Sequence, residues 1–213
     1  MKAKKEIILI GGGGHCKSCI EVIESENEFE IAGIIDTANK VGQKVLGYEI
    51  IGSDDDLEKF REKYDYALIT VGQIKSAALR IKLYTKAQEL GFKFPFIKAS
   101  TAYVSAHSEI HAGTIIMHGV IVNAGAKIGE NNIINSKALV EHDTVIGHHN
   151  HISTNAILNG DVQIGTECFI GSNSTFVNGV SIGNNVFIGL NSVINKNLTE
   201  KGIYVGNPIR KIR

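Results

Sequence analysis

The sequence predicts two folds in one chain, a parallel α/β domain over residues 1–98 and an all-β solenoid over residues 99–213. Three observations carry this. Short apolar runs alternate with amphipathic stretches in the first half. An apolar residue recurs at every sixth position in the second half. Ile-Gly pairs at Ile128-Gly129, Ile146-Gly147, Ile164-Gly165 and Ile182-Gly183 recur at every third hexapeptide.

In the first half, residues 7–10 read as a strand buried on both faces. Gly11, Gly12, Gly13 and Gly14 then turn the chain into a helix from about His15 to Glu26. Residues 31–35 form a second strand ending at Asp36, and residues 54–63 suggest a helix capped by Ser53 or Asp54. A third strand over 67–71 ends at Gly72, and a long helix over 75–90 stops at Gly91. Strands alternating with helices imply a parallel sheet covered by helices, a Rossmann-like unit.

The second half obeys another rule. From Val104 through Ile110 to Ile194, sixteen positions spaced by six are all apolar, and Phe176 alone among them is not aliphatic. Neither a 3.6-residue helix nor an isolated strand has that period. A solenoid does, if each hexapeptide forms one flat side of a triangular coil and sends one side chain to the axis. Residues two places earlier are mostly small, among them Ser108, Ala126, Ala138 and Ser192, which suits tight corners. About five coils are expected, stacked at about 4.8 Å each.

Composition narrows the function. Lys plus Arg and Asp plus Glu are 22 each, so no net field draws nucleic acid or anionic lipid. The apolar run at residues 7–10 is too short for a signal peptide or a membrane span. A cytoplasmic protein without membrane insertion is expected. Three cysteines, Cys16, Cys19 and Cys168, do not make a disulfide framework. Cys16 and Cys19 match C-x-x-C, but a four-glycine turn before them points to packing rather than redox chemistry.

Two clusters point to chemistry. A glycine turn between a strand and a helix presents backbone N–H groups to a phosphate. The dinucleotide fingerprint needs a third glycine where this chain has Cys16, which argues against NAD. Asp36 and Gly72 end strands on the same carboxyl edge, where such ligands bind. Asp36 is alternatively a turn acid, and the glycines a ligand-free turn. In the solenoid, His142 lies two residues past the inward Val140, so its side chain points outward near a corner, beside Asp143. Histidine next to a carboxylate suits general-base work near neutral pH; alone, it also fits a solvated coil residue.

The Gly-Gly-Gly-Gly-His turn, the unbroken hexapeptide array, Val140-Glu141-His142-Asp143 and Val205-Gly206-Asn207-Pro208 together resemble the hexapeptide-repeat sugar acetyltransferases. These include bacillosamine-type UDP-4-amino-sugar N-acetyltransferases and sialic acid O-acetyltransferases, and the likeness spans essentially the whole chain. It implies a left-handed parallel β-helix, a homotrimer with CoA held between neighbours, acetyl-CoA as acyl donor, a nucleotide-linked or free bacterial sugar as acceptor, and no metal. It implies that His142 is the general base and that Asp143, where the bacillosamine enzymes carry Glu, strengthens it. Asn135 matches a position close to the reaction centre. His151 matches a histidine that contacts acetyl-CoA, Ser172 and Leu190 match positions lining the CoA channel, and Pro208, Arg210, Lys211 and Arg213 would meet its phosphates. Gly13, Gly14 and His15, with Asp36 and Gly72, would hold the nucleotide sugar. The glycine turn with His15 favours the 4-amino group of a UDP-4-amino-4,6-dideoxy sugar. The stretch from Ile152 to Val162 looks closer to the sialic acid O-acetyltransferases. Two rivals remain. One is a zinc enzyme resembling γ-class carbonic anhydrases, using His142, His148, His149 and His151. The other is a non-catalytic nucleotide-sensing trimeric scaffold.

Overall fold

The structure is a computed structural model that describes residues 4–213. Chain contacts divide it into two units, residues 4–72 with Ala78–Ser100, and Gln73–Ala77 with Thr101–Arg213.

The first unit is built on β1 (Lys5–Ile10), α1 (Gly14–Glu26), β2 (Phe29–Asp36), β3 (Lys44–Val45), β4 (Tyr48–Ser53), α2 (Leu57–Arg61), β5 (Tyr66–Ile69) and α3 (Ala78–Glu89). The sheet order is β3-β4-β2-β1-β5, parallel except for β3, which pairs antiparallel with β4. Its four parallel strands therefore run third-second-first-fourth, the doubly wound order, in which the chain reverses direction across the sheet between β1 and β5. Ile7, Ile8, Leu9 and Ile10 are fully buried, as a strand covered on both faces requires. The expected elements are present with shifted ends. α3 begins at Ala78, because Lys75 to Ala77 belong with the second unit. Residues 54–63 resolve into a 3-10 turn (Asp54–Asp56) and the short α2, with Asp56 Oδ2 accepting from both the N–H and the hydroxyl of Ser53. The β3–β4 pair has no counterpart among the expected elements.

The second unit is a three-sided parallel β-helix. Two-residue strands stack in three ladders, each strand pairing in parallel with its counterpart one coil on, as in Ile121↔Leu139, Lys127↔Val145 and Ile133↔His151. The first face starts at Tyr103–Val104, the second at Glu109–Ile110 and the third at Ile115–Ile116. Of the sixteen six-spaced apolar positions, the fourteen from Ile116 to Ile194 are buried, while Val104 and Ile110, in the first coil, are half-buried. Each buried aliphatic side chain contributes about 1.5–3 kcal/mol of gross stabilisation, so the axis is the main source of cohesion. Corners are closed by small polar groups. Asn132 and Asn150 donate to the carbonyls of Gly147 and Gly165, and their own oxygens accept from the N–H groups of Asn150 and Cys168 one coil on. A strand at Gly202–Val205, paired with Val186–Ile188 and folded back on Arg210–Lys211, ends the third ladder.

Candidate active site

His142 and Asp143 follow the first-face strand Leu139–Val140 and form the corner before Val145–Ile146. Asp143 has φ +59, the left-handed conformation that turns the chain while swinging its carboxylate back toward its neighbour. His142 Nδ1 lies 2.9 Å from Asp143 Oδ2. An ionised carboxylate only accepts, so Nδ1 carries the proton and Nε2 keeps its lone pair. The hydrogen bond to Asp143 is the main influence raising the imidazole pKa above its ordinary value, aided by the charges of Asp143, Asp161 and Glu141. Both side chains are more than half exposed. A base held in one tautomer, its free nitrogen open to a substrate, can accept a proton from an amine or hydroxyl.

The remaining β-helix candidates lie on a different edge. Asn135 and His151 flank the corner between the third and first faces, and Asn135 Nδ2 lies 3.0 Å from His151 Nε2. The other His151 nitrogen, Nδ1, bonds the carbonyl of Gln73. Within the chain Asn135 therefore partners His151. Ser172 shares a hydrogen bond with Ser153 on that edge, and Leu190, one coil further, is 70% exposed. Pro208 and Arg210, both exposed, belong to the closing turn and strand above. Within one chain the candidate base and the candidate acyl-donor residues thus sit at opposite margins of the first face. Gln73 is a participant that sequence reasoning missed. Its side-chain amide donates to the carbonyls of His149 and Cys168, a fact with no local sequence signal.

The histidines of the zinc reading have separate hydrogen-bond partners, although the rings of His148 and His149 lie 6.3 Å apart. His148 Nδ1 accepts from the N–H of Glu130, His149 Nδ1 bonds Asn131, and His151 is engaged as above. Among the described residues no group of three or more His, Cys, Asp or Glu could hold a metal ion.

In the first unit, the glycine turn divides by role. At Gly11, with φ +113, a side chain would collide with Val71. Gly13 and Gly14 instead face open space, at the N-terminus of the 13-residue α1. Free backbone N–H groups there favour an anion. His15 packs beside Gly72, so Gly13, Gly14, His15 and Gly72 all lie just past the carboxyl ends of β1 and β5. Asp36 faces the turn. Its Oδ2 accepts from the N–H of Gly12 at 2.7 Å, its Oδ1 from the N–H of Thr37 at 2.7 Å, and Lys40 Nζ reaches both oxygens. Burial alone would raise this carboxyl, but those bonds hold it below the ordinary carboxylate value. A cavity of about 260 Å³ opens beside the ends of β2 and β4, among Thr37, Ser53, Asp54, Leu79, Lys82 and Lys86. Cys16 and Cys19 are fully buried, and burial pushes the Cys16 thiol up to about 11 and the Cys19 thiol higher. Protonated thiols of this kind are unreactive.

A nucleotide-type α/β unit joined to a β-helix with an exposed His-Asp pair is the architecture of a hexapeptide acyltransferase. Residues 6–87 match the PglD N-terminal domain, residues 143–178 match the bacterial transferase hexapeptide (six repeats), and residues 161–196 and 179–208 match the hexapeptide repeat of succinyl-transferase. No curated protein matches by sequence. Among solved structures, a perosamine N-acetyltransferase from Caulobacter crescentus, in complex with CoA and GDP-perosamine, is 31% identical. It superposes with a TM-score of 0.92 over 99% of this chain and 98% of its own. The acetyltransferase domain of PglB from Neisseria gonorrhoeae FA1090, in complex with acetyl coenzyme A, is 26% identical, with a TM-score of 0.90 over 99% and 100% of the two chains. WeeI from Acinetobacter baumannii AYE, 21% identical with a TM-score of 0.84 over 98% and 100%, shares the fold. The chain belongs to the PglD-like family of hexapeptide-repeat sugar acetyltransferases, with their left-handed β-helix. It is an acetyl-CoA-dependent acetyltransferase of amino sugars.

Proposed function

We propose that the chain acetylates the 4-amino group of a nucleotide-linked 4-amino-4,6-dideoxy sugar, with His142 as general base. The observation that carries this is the His142–Asp143 hydrogen bond, which leaves Nε2 as a proton acceptor on an exposed corner. Nε2 takes the proton that the amine gives up as its nitrogen bonds to the thioester carbonyl carbon. When the carbon–sulfur bond breaks, the imidazolium returns that proton to the departing thiolate. Asp143 stabilises the imidazolium in between.

Gly13, Gly14, His15 and Gly72 are assigned to the diphosphate and sugar of the acceptor, and Asp36 to holding the turn that receives them. The edge bearing Asn135, His151, Ser172 and Leu190 is assigned to the acyl donor, with Pro208 and Arg210 toward its phosphates. Since that edge and His142 lie on opposite margins of the first face, one chain presents half of each site. The first face itself supports self-association. Its outward residues are Tyr103, Ile121, Leu139, Ile157, Thr175 and Val193, all at least partly exposed, whereas the second face shows Glu109, Lys127, Val145, Gln163 and Ser181, of which Val145 alone is apolar. A homotrimer packed through this stripe, as threefold closure allows, sets the base of one chain against the donor edge of the next. Three unpaired cysteines suit a reducing compartment, and the reaction is assigned to the cytoplasm. Among the described residues no helix is long and apolar enough to cross a membrane.

The test is thiol release from acetyl-CoA with three acceptors: a UDP-4-amino-4,6-dideoxy sugar, a GDP-4-amino-4,6-dideoxy sugar and free sialic acid. Turnover with either nucleotide-linked amine, giving an N-acetyl product, is expected. Turnover with sialic acid alone would replace the proposal with O-acetylation.

A further inference from the structure

His142 and Asp143 each lie against a glycine of an adjacent coil. With three hexapeptides to a coil, the column of His142 continues to Gly160, and that of Asp143 runs back to Gly125. A Cβ placed on Gly160 would lie 2.5 Å from His142 Cε1 and 2.6 Å from Nε2, and one placed on Gly125 would collide with Asp143 Oδ1. Real Cβ atoms do not approach so closely.

The backbone does not demand glycine at either place. Gly160 lies outside the left-handed region. Gly125 has φ +76, but the equivalent corner position is left-handed in Lys137, Asn155, Asp161 and Asn173 without being glycine. Gly179, in the same column as Gly125, has open space where its Cβ would be. What sets Gly125 apart from Gly179 is the Asp143 side chain resting on it, and the other member of that pair, His142, rests on Gly160.

We propose that Gly160 and Gly125 are positioning residues for acetyl transfer, each giving up a side chain so that the His142 ring and the Asp143 carboxylate can meet. Its catalytic consequence rests on the function proposed above; its geometry does not. A methyl group on Gly160 displaces the movable partner, and that partner is the imidazole, which is exposed and anchored by one hydrogen bond. The fold then survives while Nδ1 leaves Oδ2. A misplacement of about 1 Å in a reacting group lowers turnover about 10²-fold.

The experiment compares wild type, Gly160→Ala and Gly179→Asn in the full chain. It measures kcat and KM for acetyl-CoA, the thermal midpoint, and the His142 imidazole titration by NMR. In Gly160→Ala, kcat should fall about 10²-fold with little change in KM or thermal midpoint. The imidazole should titrate closer to the ordinary value of about 6.5, because the charges of Asp143, Asp161 and Glu141 then act without the hydrogen bond. Gly179→Asn should keep the wild-type titration. Wild-type kcat and titration in Gly160→Ala would overturn the proposal. If Gly160→Ala loses stability, Gly125→Asn, which suits the left-handed backbone, decides by the same readouts. Should wild type release no thiol with any acceptor, the proposed function fails, and the titration still decides whether the glycines set the pair.

Discussion

At the scale of single residues, the chemistry rests on which His142 nitrogen holds the proton. Asp143 fixes it on Nδ1 and raises the imidazole pKa. In the proposed mechanism the free base is the active form, so kcat/KM should climb with pH through that raised value and then level off. Asp143→Asn removes the largest upward influence. The acidic limb of the pH–rate profile should move to lower pH, while the plateau falls because a carboxamide no longer fixes the tautomer. A limb that stays in place would show that Asp143 does not control the base. The pairing was legible in the sequence, since the two residues are adjacent and the first stands two places past an inward valine, but the role of base came only from the family resemblance. Gly125 and Gly160 were not legible, because each clearance exists between coils and involves a residue a full coil away.

At the scale of elements, the glycine turn is held from the side by Asp36. That carboxylate bridges the turn after β1 and the end of β2, with Lys40 closing the bracket. Asp36→Ala leaves the N–H groups of Gly12 and Thr37 without their acceptor. The half-buried Gly12 should account for most of a loss of about 1–3 kcal/mol, measured by urea denaturation. Affinity for the nucleotide sugar should fall with it. No change in either would mean that the turn holds its shape unaided. The sheet and its helices were readable because buried parallel strands carry continuous apolar runs. The β3–β4 pair was not, since two-residue Lys44–Val45 offers no period. Nor was the start of α3, because Lys75 to Ala77 continue the helical pattern in sequence yet pack with the β-helix. There Gln73 bonds the backbone of two coils.

At the scale of the whole molecule, the six-residue period explains cohesion, and the outward stripe is the surface proposed for association. The period was plain from sequence because one inward side chain per hexapeptide leaves no freedom at that position. The stripe was hidden, since its members stand beside inward residues and add only to general apolarity. Ile121→Glu combined with Leu139→Glu places charges in the middle of the first face. Sedimentation should then show monomers, against the trimers proposed for the wild type, with the thermal transition retained. An unchanged sedimentation coefficient would move the interface elsewhere. The role of His142 is tested most directly by steady-state thiol release with a nucleotide-linked 4-amino sugar, comparing wild type with His142→Ala. General-base catalysis contributes about 10²–10⁴-fold, so kcat should fall by that factor with KM for acetyl-CoA nearly unchanged. Equal kcat in the two proteins would contradict it.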